Sequence, residues 1–233
     1  MPDIAARLTK VIQRIRDAEL AAGRKSGSVQ LLAVSKTRPV EDIRASINIG
    51  QLRFGESYVQ EAVDKIQHLA DQPQVEWHFI GPIQSNKTAL LAEHFDWIHS
   101  VDRLKIAQRL NDQRPASLAP LNICIQVNTS GEASKSGIEP EQLNVLAKQI
   151  RALPRLNLRG LMTIPAREDD REKQRVPFRQ LRGLFEALNA KGYKLDTLSM
   201  GMTDDMEVAI MEGATIVRIG TAIFGPRASK HSH

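Results

Sequence analysis

Short apolar runs and longer amphipathic stretches alternate along this chain. The runs lie at 29–36, 52–57, 76–82, 95–102, 121–128, 156–165, 197–202 and 215–222. They lack the strict in-and-out alternation of a half-exposed sheet, which predicts strands covered on both faces, as in a parallel sheet. Helical stripes fit between them: Val40, Ile43 and Ile47; Val59, Ala62, Val63, Ile66 and Leu69; Leu104, Ala107 and Leu110; Leu143, Leu146, Ala147 and Ile150; Phe178, Leu181, Leu184, Phe185 and Leu188. A further helix carries Leu90 and Leu91, and the last places Met206 and Ile210 inward. Ser85, Asp102, and Thr203 or Asp204 are the predicted N-caps, because a short side-chain oxygen can accept from an otherwise unpaired backbone N–H. Ahead of the first run, Ile4, Leu8, Val11, Ile12 and Ile15 share one helical face that Gly23 can close.

Strand–helix units in this number predict an α/β fold, a single (β/α)8 TIM-type barrel with an extra N-terminal helix. The boundaries expected are a helix over about 3–22, the barrel over about 29–226 and a short polar tail, all in one domain spanning 1–233. A doubly wound open sheet tolerates the same pattern with fewer units. No G-x-G-x-x-G follows the first run, which removes the main reason to prefer a dinucleotide fold.

Composition narrows the function classes. No apolar run approaches the roughly 20 residues that cross a bilayer. The first 20 residues mix acidic and basic side chains and lack a signal-peptide core. With one cysteine, Cys124, the chain cannot form an intrachain disulfide or a cysteine zinc cluster. A cytoplasmic protein is the simplest reading. The net charge of +5 is scattered, and aromatics make up only 4% of residues. That pattern argues against nucleic acid and for a mild affinity for small anions.

In a barrel, the C-terminal ends of the strands line the functional mouth. Residues 31–39, LLAVSKTRP, end the first strand on Lys36. Position alone favours a solvated cation on the rim. The alternative is an amine in apolar surroundings, made nucleophilic toward an aldehyde. SMGMTDD (199–205) and RIGTAIFG (218–225) end the seventh and eighth runs. Gly201 and Gly220 permit close approach of an anion, while Ser199, Thr203 and Thr221 can donate hydroxyl hydrogen bonds. A phosphate held after strands 7 and 8 is a recurrent barrel arrangement. Asp204 and Asp205 carry the wrong charge for it and read as helix caps. Arg218 shares the facing of Gly220, and a buried arginine requires an acid or a ligand. Together a lysine, a phosphate nest and an arginine describe a receptor for pyridoxal 5′-phosphate (PLP). His78 and His99 lie on predicted strands without metal-ligand company and read as core or rim residues. Cys124 reads as buried filler.

The segments AVSKT, FGESYVQEAVDKI, WHFIGPIQSNK, VNTSGEASKSG, GLMTIP, SMGMTDDMEVAI and VRIGTAIFG occur in order across nearly the whole chain. In these segments the sequence resembles the PLP homeostasis proteins, the YggS/PROSC family, which in turn resemble the barrel domain of bacterial alanine racemases. The resemblance implies PLP held as a Schiff base on Lys36. It implies phosphate contacts from Ser199, Gly220 and Thr221, with Met200, Gly201 and Thr203 beside them, and Arg218 facing the pyridine nitrogen. It also implies a cytoplasmic, monomeric protein that balances free PLP without demonstrated catalysis, with PLP-dependent apo-enzymes as recipients. Lys135 is a candidate secondary contact. Two positions depart from the family pattern: Ser57 stands where asparagine is usual, and Thr203 where serine is common.

The competing expectations are a weak PLP-dependent amino-acid racemase and a Schiff-base aldolase-type barrel enzyme. Racemisation needs a base on each cofactor face, and racemases take the second from a tyrosine in a separate β-rich domain. The barrel accounts for nearly all of this chain, and Tyr58 and Tyr193 lie at predicted helix ends. A holding and delivering role is therefore expected.

Overall fold

The computed structural model describes residues 4–131 and 136–226. Eight strands form a closed parallel barrel in sequence order, β1 Gln30–Val34, β2 Arg53–Glu56, β3 Glu76–Phe79, β4 Trp97–Val101, β5 Leu121–Gln126, β6 Leu156–Met162, β7 Thr197–Ser199 and β8 Ile216–Ile219. Each falls inside one of the apolar runs read from the sequence. β8 returns to pair with β1, setting Leu32 opposite Arg218 and Ala33 opposite Ile219. This closure decides the site, because it sets residues about 180 positions apart in sequence side by side.

The helices are α1 Ile4–Ala21, α2 Val40–Ile47, α3 Val59–His68, α4 Thr88–His94, α5 Leu104–Gln113, α6 Leu143–Arg151, α7 Arg171–Ala190, α8 Met206–Met211 and α9 Thr221–Phe224. Outward residues of the strands, such as Ala33, Phe54, Ile98 and Ile123, are fully buried beneath the helix stripes. That explains why the strand runs do not alternate: the outer face meets helices and the inner face meets the barrel interior. The extra N-terminal helix, α1, packs on α2, α8 and α9 and covers the outside of the β1–β8 seam.

Three helix starts differ from expectation. Asp102 turns its carboxylate to Arg103 at 2.6 Å, and α5 begins without a side-chain cap. Ser85 opens a short 3-10 turn over Ser85–Lys87, where its carbonyl accepts from Thr88 Oγ1. Neither Thr203 nor Asp204 caps α8. The residue before that helix is Asp205, whose Oδ1 accepts from the backbone N–H of Met202 at 2.6 Å instead. At the start of α7 a side chain does cap: Asp170 accepts from the N–H groups of Glu172 and Lys173. The last strand is also shorter than its apolar run. The chain turns at Gly220 and enters α9, so Thr221 begins a helix.

Candidate functional site

A cavity of about 290 Å³ opens at the C-terminal ends of the strands. That size lies at the lower edge of the range for small-molecule pockets. Lys36 and Arg38 enter from beyond β1, Ser57 from beyond β2, Thr203 and Asp204 from beyond β7, and Gly220 and Thr221 from beyond β8. Arg218, on β8 itself, completes the polar wall, while Val34, Ile80 and Ile164 supply apolar surface. Lysine, arginine and hydroxyl groups thus converge on one concave wall because β1 pairs with β8.

The segment carrying Lys36 is held from behind. Lys65 of α3 is buried; its Nζ donates to the Ser35 carbonyl at 2.7 Å, to Glu56 Oε1 at 2.8 Å and to Glu61 Oε1 at 2.6 Å. Ser35 Oγ donates to the same Glu56 oxygen at 2.6 Å. On the far side of Lys36, the N–H of Thr37 donates to Glu61 Oε1 at 2.6 Å, and Thr37 sits at φ 63°. Both neighbours of Lys36 are therefore tied to one ion cluster, in which Lys65 and Glu56 are buried and Glu61 is half-buried. Glu56 Oε2 has no hydrogen-bond partner. Burial, only partly offset by Lys65, pushes the Glu56 carboxyl above the usual carboxylate range. Arg38, read from sequence as a rim cation, donates to the carbonyls of Gly225 and Pro226 beyond α9 and lies over the Phe224 ring.

Arg218 is almost wholly buried. Its Nη1 donates to Ser199 Oγ at 2.9 Å and its Nη2 to the Thr163 carbonyl at 2.8 Å. Burial pulls it down to about 10, opposed by Asp205, so it stays cationic at neutral pH. Asp205 is itself raised by burial.

Lys36, Thr203, Arg218, Gly220 and Thr221 share the cavity, whereas Ser199, Met200 and Gly201 do not line it. The Ser199 hydroxyl that the family resemblance assigns to phosphate is fully buried and taken by Arg218 and by His99 Nδ1 at 2.7 Å. Its carbonyl accepts from the Thr163 N–H, and the Met200 N–H donates to the Ile216 carbonyl. Gly201 is explained without an anion. It sits at φ 96°, and a Cβ there would stand 2.6 Å from Ala209 Cβ. Lys135 lies outside the described residues. His78 and His99, read as core or rim, are fully buried inside the barrel and bonded to each other. Cys124 is buried as expected, and desolvation raises its thiol far beyond the ordinary range. No group of three or more His, Cys, Asp or Glu side chains arranged to hold a metal occurs among the described residues.

The sequence reading passed over Ser35, Glu56, Glu61 and Lys65. One signal was available: Lys65 lies three residues after Ala62 and four before Leu69, inside the apolar stripe of α3 rather than opposite it.

Residues 8–228 of this closed parallel barrel match the family described as the alanine racemase N-terminal domain. Relatives named pyridoxal phosphate homeostasis protein are 59% identical in Pseudomonas aeruginosa, with 97% of each chain covered, and 55% identical in Escherichia coli K12, with 97% of this chain and 98% of the relative covered. The chain belongs to this family of pyridoxal phosphate homeostasis proteins. Among solved structures, PipY of Synechococcus elongatus with PLP bound superposes with a TM-score of 0.82 at 36% identity, covering 95% of this chain and all of PipY.

Proposed function

We propose that this chain binds PLP covalently on Lys36 and takes part in keeping the free cofactor in balance, holding it rather than turning over a substrate. The observation that carries the reading is the shared cavity: the strand-end amine of Lys36, the buried cation of Arg218, and the turn at Gly220 and Thr221 meet on one wall. The donor set fits the group. An amine suits its aldehyde, and Thr203, Thr221 and the Gly220 turn suit its phosphate. Of the two guanidiniums at the cavity, Arg38 is held by the Gly225 and Pro226 carbonyls, which leaves Arg218 to face the ring. When bound, PLP supplies an aldehyde that condenses reversibly with an amine and a ring that withdraws electrons.

The residues' own tasks follow. The Lys65–Glu56–Glu61 cluster fixes the backbone on both sides of Lys36 and so orients its Nζ. Arg218, a permanent cation held by Ser199 and Thr163, would donate to the pyridine nitrogen. That disfavours protonation of the ring and weakens it as an electron sink. Neither of the chain's two tyrosines lines the cavity; Tyr58 is exposed at the start of α3, and Tyr193 stacks with Arg151. A second proton-transfer base in the manner of racemases is thus not supplied by tyrosine here. Recipient PLP-dependent apo-enzymes, a monomeric state and a cytoplasmic location complete the proposal.

The test is the absorbance spectrum of protein mixed with PLP, followed by borohydride reduction and peptide mapping. The expected outcome is a visible chromophore and cofactor mass on Lys36, both lost in Lys36→Ala. Stereospecific amino-acid racemisation by the pure protein, also lost in Lys36→Ala, would replace the holding role with catalysis. Transfer of PLP to an added apo-enzyme, and light scattering for mass in solution, address the partner and the oligomeric state.

A further inference from the structure

Barrel interiors of this kind are usually filled by branched apolar side chains. Here a row of polar side chains crosses the interior from one end to the other. Glu76 Oε1 is 2.8 Å from His78 Nε2, and His78 Nδ1 is 2.8 Å from His99 Nε2. His99 Nδ1 is then 2.7 Å from Ser199 Oγ, which accepts from Arg218 Nη1 at 2.9 Å. His78, His99 and Ser199 are all fully buried. Arg218 lines the mouth cavity. Glu76 lines a second cavity of about 300 Å³ at the opposite rim, beside Arg53, Trp97, Arg159 and Asp196. The row therefore joins the two ends of the barrel.

Donor and acceptor chemistry fixes its direction. An arginine can only donate and an ionised carboxylate can only accept. With Glu76 ionised and both imidazoles neutral, His78 must carry its proton on Nε2 to meet Glu76. Its Nδ1 must then accept from His99 Nε2–H, which leaves His99 Nδ1 to accept from the Ser199 hydroxyl. Every bond points from Arg218 toward Glu76. Reversing the row requires a proton on Glu76 or a second proton on His78. Burial holds both histidines below their ordinary value, and the bond to His78 holds Glu76 below the ordinary carboxylate, so the one-way state is the neutral-pH state. The charged groups facing the row are Arg53 on β2, Glu76 on β3, Asp96 before β4 and Arg218 on β8. Arg159 of β6 lies over Trp97, whose ring stacks on His78; Cys124 of β5 and Asp205 act on Arg218.

We propose that His78 and His99 are positioning residues for Arg218: the row running from Glu76 through both histidines and Ser199 sets, from the opposite rim of the barrel, how the guanidinium is presented to a ligand at the mouth. The inference rests on the PLP reading for the identity of that ligand.

The experiment is ¹⁵N NMR of histidine-labelled protein, first alone and then with PLP. Without cofactor at neutral pH, the expected spectrum shows His78 and His99 both neutral and both protonated on Nε2. Adding PLP should shift the His99 Nδ1 resonance, and Ser199→Ala, which cuts the row beside Arg218, should abolish that shift. Glu76→Gln tests the far end and should move the pH midpoint of the bound chromophore. A His99 proton on Nδ1 overturns the proposal. So does a chromophore on Lys36 that leaves the His99 resonance in place. If no chromophore forms, the PLP reading fails instead, and the tautomers seen without cofactor still decide whether the row runs as described.

Discussion

Lys65 Nζ lies 2.8 Å from Glu56 Oε1, and both side chains are closed off from solvent directly behind the segment that carries Lys36. A buried pair of this kind is fragile when one partner is removed, because the other is left uncompensated. Lys65→Met should lower stability by about 3–5 kcal/mol in urea denaturation. Adding Glu56→Gln should recover part of that loss. The same single variant should slow chromophore formation with PLP, since both anchors of the Lys36 segment pass through Lys65 or Glu61. Normal PLP loading in a folded Lys65→Met protein would show that the cluster supports the fold alone.

The two buried histidines give the pH dependence of stability a definite sign. Burial holds the His99 imidazole well below its ordinary value of 6.5, with the nearby His78 and Arg218 adding to the effect. The unfolded chain therefore binds more protons than the folded one in the window below about pH 6.5. Stability is fully present above that point and falls as the pH drops through it. Denaturant midpoints followed from neutral pH into mild acid should decline, and His99→Gln should flatten the slope while lowering the plateau. An unchanged slope would mean that another group governs the acid limb.

The barrel was legible in the sequence because its signal is local: strands covered on both faces read as apolar runs, and helices read as stripes. The neighbours of Lys36 across the β1–β8 seam were legible only through motif and family, since they depend on a closure that no local pattern encodes. The bonds of the Ser199 side chain were hidden for the same reason. Its hydroxyl could be placed near the mouth, but its partner His99 is 100 residues away, and only the closed interior brings them to 2.7 Å. Asp102 and Ser85 had suitable side chains at suitable positions, yet Asp102 found Arg103 instead and the Ser85 carbonyl took the local bond.

Two glycines separate conformational need from composition. Gly201 adopts φ 96° with no room for a Cβ against Ala209, whereas Gly183 lies inside α7 with nothing within 4 Å of its would-be Cβ. Gly201→Ala should cost about 2–5 kcal/mol, adding left-handed strain to overpacking. Gly183→Ala should stabilise by roughly 0.5–1 kcal/mol, because a helical alanine loses less backbone freedom on folding. Thermal or urea unfolding of the pair checks both signs. If Gly201→Ala folds with unchanged stability, the glycine is not required by the backbone, and an anion contact regains its case.

The chain's one thiol reports on the interior of the barrel. Cys124 is fully buried on β5 against Trp97 and Met162, and desolvation raises its thiol well above the ordinary range, which disfavours the thiolate. Thiolate and access are both needed for reaction. The native protein should therefore resist a disulfide-exchange reagent in mildly alkaline buffer, and denaturant should release the reactive thiol. At low denaturant the labelling rate should follow the opening of the barrel rather than reagent concentration once reagent is in excess. Cys124→Ala should fold but lose about 1–3 kcal/mol, because the side chains around the vacated sulfur are left facing a void. Rapid labelling of the native state would mean that the β4–β6 wall opens locally, and the rate in Lys36-loaded protein would then show whether the mouth ligand closes it.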